Sequence, residues 1–460
     1  MLLISCFYAL VLTLIVARLA PESAIILRFA KRMDAVCLCF YGTLHLRNVM
    51  TDKTLLPSSS VSAVLRSPKL FTREILAGVI TALALIPEVI SFSVIAGVDP
   101  KVSLIASVVL CFAMSILGGR PAMVTAAAGS VALVIGPMVN QNGVEYILPA
   151  VLLAGVIQII FGLTGMARLM RFIPHAVMTG FVNALGILIF FAQVPHFWSK
   201  NPIILALFAL TLLIVLWLPR RLKSVPAPLV AIVVLTAYTI FSGQLLPTVG
   251  DEGPMQGGLP GLTEWLVPFD LHTLSIIWPC ALSIAFVGLM ESLLTAKLVD
   301  DLTHTPSNKG RESTGLGIAN ILAGFYGGIA GCAMIGQTIV NVEMGKGRTR
   351  LSTVAAALVL LLLVTALSEV MAKIPMVVLA GIMAIVAFKT FNWGSLKPGT
   401  LKQAPFVESV VMVITVIATV STGNLAIGVV AGVVTLAITP AKWREKSLFT
   451  AKTASPDQEK

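Results

Sequence analysis

Apolar runs of roughly 20 residues recur along the sequence between Ile75 and Ile438. A run of this length spans the hydrocarbon core of a bilayer as a helix, whereas a transmembrane barrel would show alternating segments of about 10 residues. Charged residues make up 12% of the chain, half of the roughly 25% found in soluble proteins. The sequence therefore predicts an all-α polytopic membrane protein.

The net charge of +11 is spread over short basic clusters between the apolar runs. Such clusters are typical of cytoplasmic loops, and acidic loops at 140–145 and 251–264 then fall on the other side of the membrane. This distribution favours a membrane protein, with no nucleic acid among its partners. With Arg73 placed inside, the inside clusters are 168–171, 220–223, 346–350, 389–402 and the tail from Lys442.

Fourteen helices are predicted, seven on each side of a polar connection rich in Gly and Pro at 247–268. The third helix of each half is short and broken by Gly or Pro, which is typical of inverted repeats with a binding site at the membrane midplane. The first half is predicted at 75–97, 102–118, 122–138, 147–166, 174–195, 202–218 and 228–245. The second half is predicted at 274–299, 313–328, 333–342, 352–371, 375–390, 407–421 and 424–438.

These helices divide the chain into five expected parts. Residues 1–73 are an N-terminal extension, either an extra helix or the product of a start codon placed too early. The others are a first seven-helix repeat at 74–246, an extracytoplasmic connection at 247–273, a second seven-helix repeat at 274–440 and a short cytoplasmic tail at 441–460.

Four segments of the chain resemble the SulP family of anion transporters. They are LIPEVISFSVIAGVDP at 85–100, RFIPHAVMTGF at 171–181, GLMESLL at 288–294, and 320–331 followed by Gly336-Gln337-Thr338. They are similar to the family's first, fifth, eighth and tenth helices, and the resemblance covers nearly everything from about Leu70 to Ile438.

The resemblance implies a core domain that moves against a gate domain, with an anion site between the facing N-termini of helices three and ten. It also implies a cytoplasmic (inner) membrane location and a substrate such as sulfate, bicarbonate, chloride or a dicarboxylate. Family members usually end in a cytoplasmic STAS domain, whereas about twenty residues follow Pro440 here. Glu88 stands where the family often has Gln, and Gln337 where it often has Arg.

Two carboxylates, Glu88 and Glu291, lie within corresponding apolar runs of the two halves. A carboxylate in a membrane helix costs several kcal/mol unless it is paired or solvated, so it usually marks function. We predict that Glu88, Glu291 and Ser292 form the ion-coupling set, with a proton or a Na⁺ near Glu291. The alternative is that each carboxylate caps a helix break or lines a wet vestibule.

The two broken segments, 121–130 and 331–338, are rich in small residues that let a ligand approach the backbone. Helix N-termini bind anions through unpaired N–H groups, although small residues also serve close helix packing. The predicted substrate-binding set is Glu88, Ser93, Thr125, Ala126, Ala127, Ser130, Ala333, Gly336, Gln337 and Thr338.

The sequence favours secondary active transport of a small inorganic anion of the sulfate or bicarbonate class, coupled to H⁺ or Na⁺ by an elevator-type movement of the core domain. The alternatives are an uncoupled anion channel or exchanger, and a dicarboxylate or nucleobase permease of the same fold. An enzyme is not expected, because the sequence shows no paired His motif and no convincing nucleophile with a base nearby. An ATPase is not expected either, because the Gly-x4-Gly spacing at 331–336 is followed by Gln337 where a nucleotide loop needs Lys. No cofactor is expected. Besides the anion and the coupling ion, the expected partner is membrane lipid, and the sequence leaves open whether the protein forms a homodimer.

Overall fold

The computed structural model describes residues 61–165, 174–198, 201–221, 227–253, 261–268, 270–396 and 406–439. The tail and most of the predicted N-terminal extension lie outside the described residues. So do the basic cluster at 168–171 and parts of those at 220–223 and 389–402.

In the described residues of the first half, a five-residue helix, Val61–Leu65, precedes seven longer helices and one short strand, and a 3₁₀ turn, Val144–Tyr146, precedes the fourth of these helices. The helices α1 to α7 are Pro68–Ala96, Pro100–Leu117, Gly129–Asn142, Ile147–Leu163, His175–Phe197, Pro202–Arg221 and Ala227–Ser242, and the strand β1 is Thr125–Ala127. The strand stands between α2 and α3.

The second half repeats this order. The helices α8 to α14 are Leu271–Thr303, Lys309–Gly324, Ile335–Ile339, Arg350–Ala366, Met376–Thr390, Phe406–Thr422 and Leu425–Ile438, and the strand β2 is Gly331–Ala333. A π-helical turn, Val340–Met344, extends α10, and an additional five-residue helix, Ser368–Ala372, lies between α11 and α12. The prediction of an all-α fold with seven plus seven helices is confirmed, and six of the described helices are long and apolar enough to cross a membrane.

Local sequence signals set the ends of the two long helices that carry the carboxylates. Pro68 starts α1 at a position where its missing N–H costs nothing, and Gly97 ends it in the left-handed conformation with φ 70°. Asp270 precedes α8 and its carboxylate accepts a hydrogen bond from the Thr273 N–H at 2.7 Å. Pro87 and Pro279 lie inside these helices and each removes one backbone hydrogen bond.

The helices pack in two groups that follow the internal repeat. The core domain contains α1 to α4 and α8 to α11. In it, α9 packs on α4 and α11 packs on α2, and these two contacts are equivalent because α9 repeats α2 and α11 repeats α4. The gate domain contains α5, α6, α7, α12, α13 and α14, in which α5 packs on both α12 and α13. This division agrees with the predicted core and gate domains.

The two broken segments meet at the centre of the core domain as a two-stranded antiparallel sheet. Its register pairs Thr125 with Ala333, Ala126 with Cys332, and Ala127 with Gly331. The predicted helices at 122–138 and 333–342 are therefore wrong at their starts, because α3 begins at Gly129 and α10 at Ile335. A three-residue strand is too short to leave a period in the sequence, which is why it was missed.

Candidate functional site

A cavity of about 950 Å³ separates the core domain from the gate domain. Its core wall includes Glu88, Ser130 and Glu291, and its gate wall is largely apolar, as at Phe181 and Ile385. The cavity extends to the ends of the helices that carry the basic loops, where Lys389 lines it. The positive-inside rule predicts that this end faces the cytoplasm.

Glu291 lies at the deep end of this cavity, beside the start of α3. Its side chain is 9% exposed, and Oε2 accepts hydrogen bonds from the Ser130 hydroxyl and from the Cys332 thiol at 3.1 Å. Ser130 stands in the first turn of α3 and Cys332 in the centre of β2, so the carboxyl group joins both broken segments. Within the part of the chain that the structure describes, no Lys or Arg forms an ion pair with Glu291.

Glu88 follows Pro87 on α1 and is half-buried against the same cavity. Its carboxyl group is within hydrogen-bonding reach of the Gln337 side chain, whose Nε2 also donates to the Ala84 carbonyl at 3.4 Å. Glu88 and Glu291 are close enough to interact electrostatically. Two neighbouring carboxyl groups repel each other when both are charged.

The positive charges of the cavity stand nearer its mouth. Among the described lining residues, the lysines are Lys297 on α8 and Lys389 on α12, and both are exposed. Lys389 lies on the gate domain, yet it interacts electrostatically with Glu88 on the core domain. An anion entering from this side therefore passes two cations before it reaches the carboxylates.

The predicted site residues separate into two groups in the structure. One group lines the cavity: Glu88, Ser130, Glu291, Gly336 and Gln337. The other lies behind this surface and supports it: Ser93, Thr125, Ala126, Ala127, Ser292, Ala333 and Thr338.

Three members of the second group use their side chains on backbone groups rather than on the cavity. The Ser292 hydroxyl accepts from the Ala333 N–H at 3.0 Å, and the Thr338 hydroxyl accepts from the Val124 N–H at 3.1 Å. The Ser93 hydroxyl donates to the Ile90 carbonyl at 2.6 Å. These contacts make them supports of the sheet and of α1.

Sequence reasoning missed Cys332, Lys297 and Lys389. A lone cysteine in an apolar run carries no spacing signal and is usually a packing residue, so Cys332 did not stand out. Lys297 and Lys389 lie near the predicted cytoplasmic ends of helices, where positive charge is common in any membrane protein, so nothing in their pattern distinguished them.

A family model described as "Sulfate permease family" matches residues 71–202 and 198–415. The chain belongs to the sulfate permease family. It is 50% identical to the "Putative sulfate transporter YbaR" of Bacillus subtilis over 366 residues, which cover 80% of this chain and 76% of that protein. It is 30% identical to the "Bicarbonate transporter BicA" of Synechocystis over 70% of this chain and 62% of that protein.

The fold agrees with this membership. The transmembrane domain of a cyanobacterial bicarbonate transporter BicA superposes with a TM-score of 0.70 at 27% identity, over 80% of this chain and 98% of that domain. The chain is therefore a multi-pass membrane transporter of the sulfate permease family and not an enzyme.

Proposed function

We propose that this chain carries a small inorganic anion of the sulfate or bicarbonate class by secondary active transport coupled to H⁺ or Na⁺. The observation that carries the proposal is Glu291, a buried carboxyl group held by Ser130 and Cys332 where the two broken segments meet. A carboxylate at this depth without a fixed positive partner is costly, so a mobile cation that balances it lowers the energy of the loaded site. The anion and the cation then travel together.

The charges around the cavity favour a monovalent anion, or cation-assisted binding, over bare sulfate. Glu88 and Glu291 lie at the deep end, while Lys297 and Lys389 lie toward the mouth. A divalent oxyanion at the deep end would meet two carboxyl groups, and each close like-charge contact is unfavourable. A bicarbonate ion with Na⁺ brings no net charge, and the printed name of the Synechocystis relative agrees with that substrate.

We further propose that the core domain moves as a unit across the membrane against the gate domain. The wall that the gate presents to the cavity is apolar at Phe181, Leu185 and Ile382, so sliding breaks few polar contacts there. On the outer side, the two connections between the domains are held together by backbone hydrogen bonds from Val249 N–H to the Ile374 carbonyl and from Met376 N–H to the Pro247 carbonyl, both at 2.9 Å. A homodimer of the membrane domain remains a prediction.

The test is uptake into sealed proteoliposomes of labelled sulfate, bicarbonate and a dicarboxylate, with and without gradients of Na⁺ and H⁺. We expect one anion to accumulate only with a cation gradient. Glu291→Gln keeps an acceptor for Ser130 and Cys332 but removes the charge, so it should abolish accumulation while anion exchange persists. Glu369→Gln, at an exposed position away from the cavity, is the matched control. Current without accumulation in the unaltered protein would show an uncoupled channel and refute the coupling.

A further inference from the structure

Asn320 lies on α9, away from the cavity, and its side chain is fully buried. Its amide group contacts both backbone polar groups of Gly331, the first residue of β2. Oδ1 accepts from the Gly331 N–H at 2.8 Å, and Nδ2 donates to the Gly331 carbonyl at 3.2 Å. A single side chain thus takes the place that a neighbouring strand would occupy in a larger sheet.

Three other backbone groups of the sheet are also bonded to side chains, but each side chain bonds only one group. Ser292 accepts from the Ala333 N–H at 3.0 Å, Thr295 donates to the Ala333 carbonyl at 2.9 Å, and Ser107 accepts from the Ala127 N–H at 3.1 Å. Asn320 differs because one side chain bonds both the N–H and the carbonyl of one residue, Gly331, and so holds the two peptide groups that flank it. It therefore sets the orientation of β2 and not only its distance from α9.

A second buried amide holds Asn320 in this orientation. Asn320 Nδ2 also donates to Gln158 Oε1 at 2.8 Å, and Gln158 lies on α4 with no exposed surface. The Ser313 hydroxyl donates to the Gln158 carbonyl at 2.7 Å, which ties the same residue to α9. The chain of contacts runs from α4 through Asn320 to β2.

We infer that Asn320 is a positioning residue for the transport site, which it reaches through Cys332. Cys332 follows Gly331 directly, and its thiol lies 3.1 Å from Glu291 Oε2 at the edge of the cavity. When Asn320 no longer holds the two peptide groups that flank Gly331, β2 can rotate locally, and Cys332 loses its fixed place against Glu291. The part of this inference that concerns transport rests on the proposed function, whereas the part that concerns Cys332 does not.

The natural cysteines give a test that does not require transport. Cys111 and Cys280 are buried free cysteines elsewhere in the core domain, and Cys332 is buried beside the cavity. We would treat the purified full chain with methyl methanethiosulfonate and follow the labelling of each cysteine by peptide mass spectrometry. In Asn320→Ala, Cys332 should be labelled about 10-fold faster or more, because its strand opens locally, while Cys111 and Cys280 keep their rates. An equal rise at all three cysteines would show general destabilisation and overturn the inference, as would an unchanged rate at Cys332.

Two further variants keep the test decisive. Gln158→Ala leaves Asn320 in place but frees its amide group, so it should give the same pattern with a smaller change even if Asn320→Ala fails to fold. Asn183→Ala removes a buried amide of the gate domain, whose Oδ1 accepts a hydrogen bond from the backbone N–H of Asn392 at 2.7 Å. This variant should leave the labelling rate of Cys332 unchanged. A rise at Cys332 in Asn183→Ala would count against a specific role for Asn320.

The transport arm compares the same variants in proteoliposomes. Asn320→Ala should raise the KM for the anion about 5-fold or more with a smaller change in the maximal rate, whereas Asn183→Ala should leave KM unaltered. If the unaltered protein takes up anion and the KM of Asn320→Ala equals that of Asn183→Ala, the positioning role is refuted. If the unaltered protein takes up no anion, the proposed function fails, and the labelling of Cys332 alone decides the structural inference.

Discussion

Glu74 holds the start of α11 against the first turns of α1, and its replacement should weaken the whole core domain. Its side chain is fully buried, and Oε1 accepts from the Arg348 N–H at 2.9 Å. Oε2 accepts from the Thr349 N–H at 3.1 Å and from the Thr349 hydroxyl at 2.9 Å. Thr349 is the N-cap of α11, so one carboxylate satisfies three donors at the end of that helix.

The variant Glu74→Gln keeps the size of the side chain but replaces one acceptor oxygen with a donor. The amide oxygen can serve the two donors of Thr349, and the amide NH₂ then faces the Arg348 N–H, which loses its partner. A hydrogen bond to a charged group contributes about 1.5–3 kcal/mol, and a buried donor left without a partner costs about 1–3 kcal/mol. We therefore expect the free energy of unfolding to fall by about 2–4 kcal/mol.

The assay is reversible unfolding in mixed micelles with a denaturing detergent, followed by tryptophan fluorescence. Glu343→Gln is the control, because Glu343 is exposed in the neighbouring π-helical turn and its loss should change the free energy by less than about 0.5 kcal/mol. A fall below about 1 kcal/mol in Glu74→Gln, or one equal to the control, would refute the role of Glu74 as the acceptor that stabilises the start of α11.

Three further outcomes are expected in the same unfolding assay. Gly78→Ala places a Cβ 2.6 Å from the Cβ of Ala355 and 2.6 Å from the Ser352 carbonyl oxygen, so it should lower the free energy of unfolding by about 1–3 kcal/mol. Gly336→Ala is the control and should be neutral, because a Cβ at that position has no atom within 4 Å. Arg120→Gln breaks the 3.1 Å ion pair with Asp300 and the 2.8 Å bond to the Thr305 carbonyl, and should cost about 2–4 kcal/mol. The hydrogen bond from the Thr273 N–H lowers the pKa of Asp270 below its ordinary 3.8, so the Asp270 carboxylate stabilises the start of α8 above that pH, and this stabilisation is lost as the pH falls through the lowered pKa. Asp270→Ala should therefore lower the midpoint of unfolding at pH 7. The difference between this variant and the unaltered protein should shrink as the pH approaches 3.

The helix pattern was predictable because a bilayer imposes a length on every crossing segment. Runs such as 174–195 and 202–218 needed only a count of apolar residues, and the structure places α5 and α6 within a few residues of them. Glu88 and Glu291 were found for a related reason. A carboxylate stands out in an apolar run, since few such residues are tolerated there without a purpose.

The centre of the core domain could not be predicted in the same way. Thr125, Ala126 and Ala127 form a strand only because β2 lies beside them, and that partner is some 200 residues away along the chain. Alanine has no preference for strands, so the local sequence favours a helix. Tertiary contact overrides the local preference at this point. For that reason the helices predicted to start at 122 and 333 start instead at Gly129 and Ile335.

The same argument explains why Asn320 and Gln158 were not selected from the sequence. A single amide in an apolar helix is ordinary in a membrane protein, where it often bonds to a neighbouring helix. Its role depends on what lies opposite, and here that is the unpaired edge of β2 at Gly331.

A short sheet within a membrane is stable only when its edge groups are bonded, because lipid offers no hydrogen bonds in place of water. In this chain the bonds come from several helices, through Ser107 on α2, Ser292 and Thr295 on α8, Asn320 on α9 and Thr338 on α10. Two of these side chains, Ser292 and Thr338, had been predicted as part of the ion-coupling and substrate-binding sets. Together these side chains bond backbone groups of the broken segments on the side away from the cavity, while Glu291 and Ser130 lie on the cavity side. The polar residues behind the site therefore support the polar residues that line it.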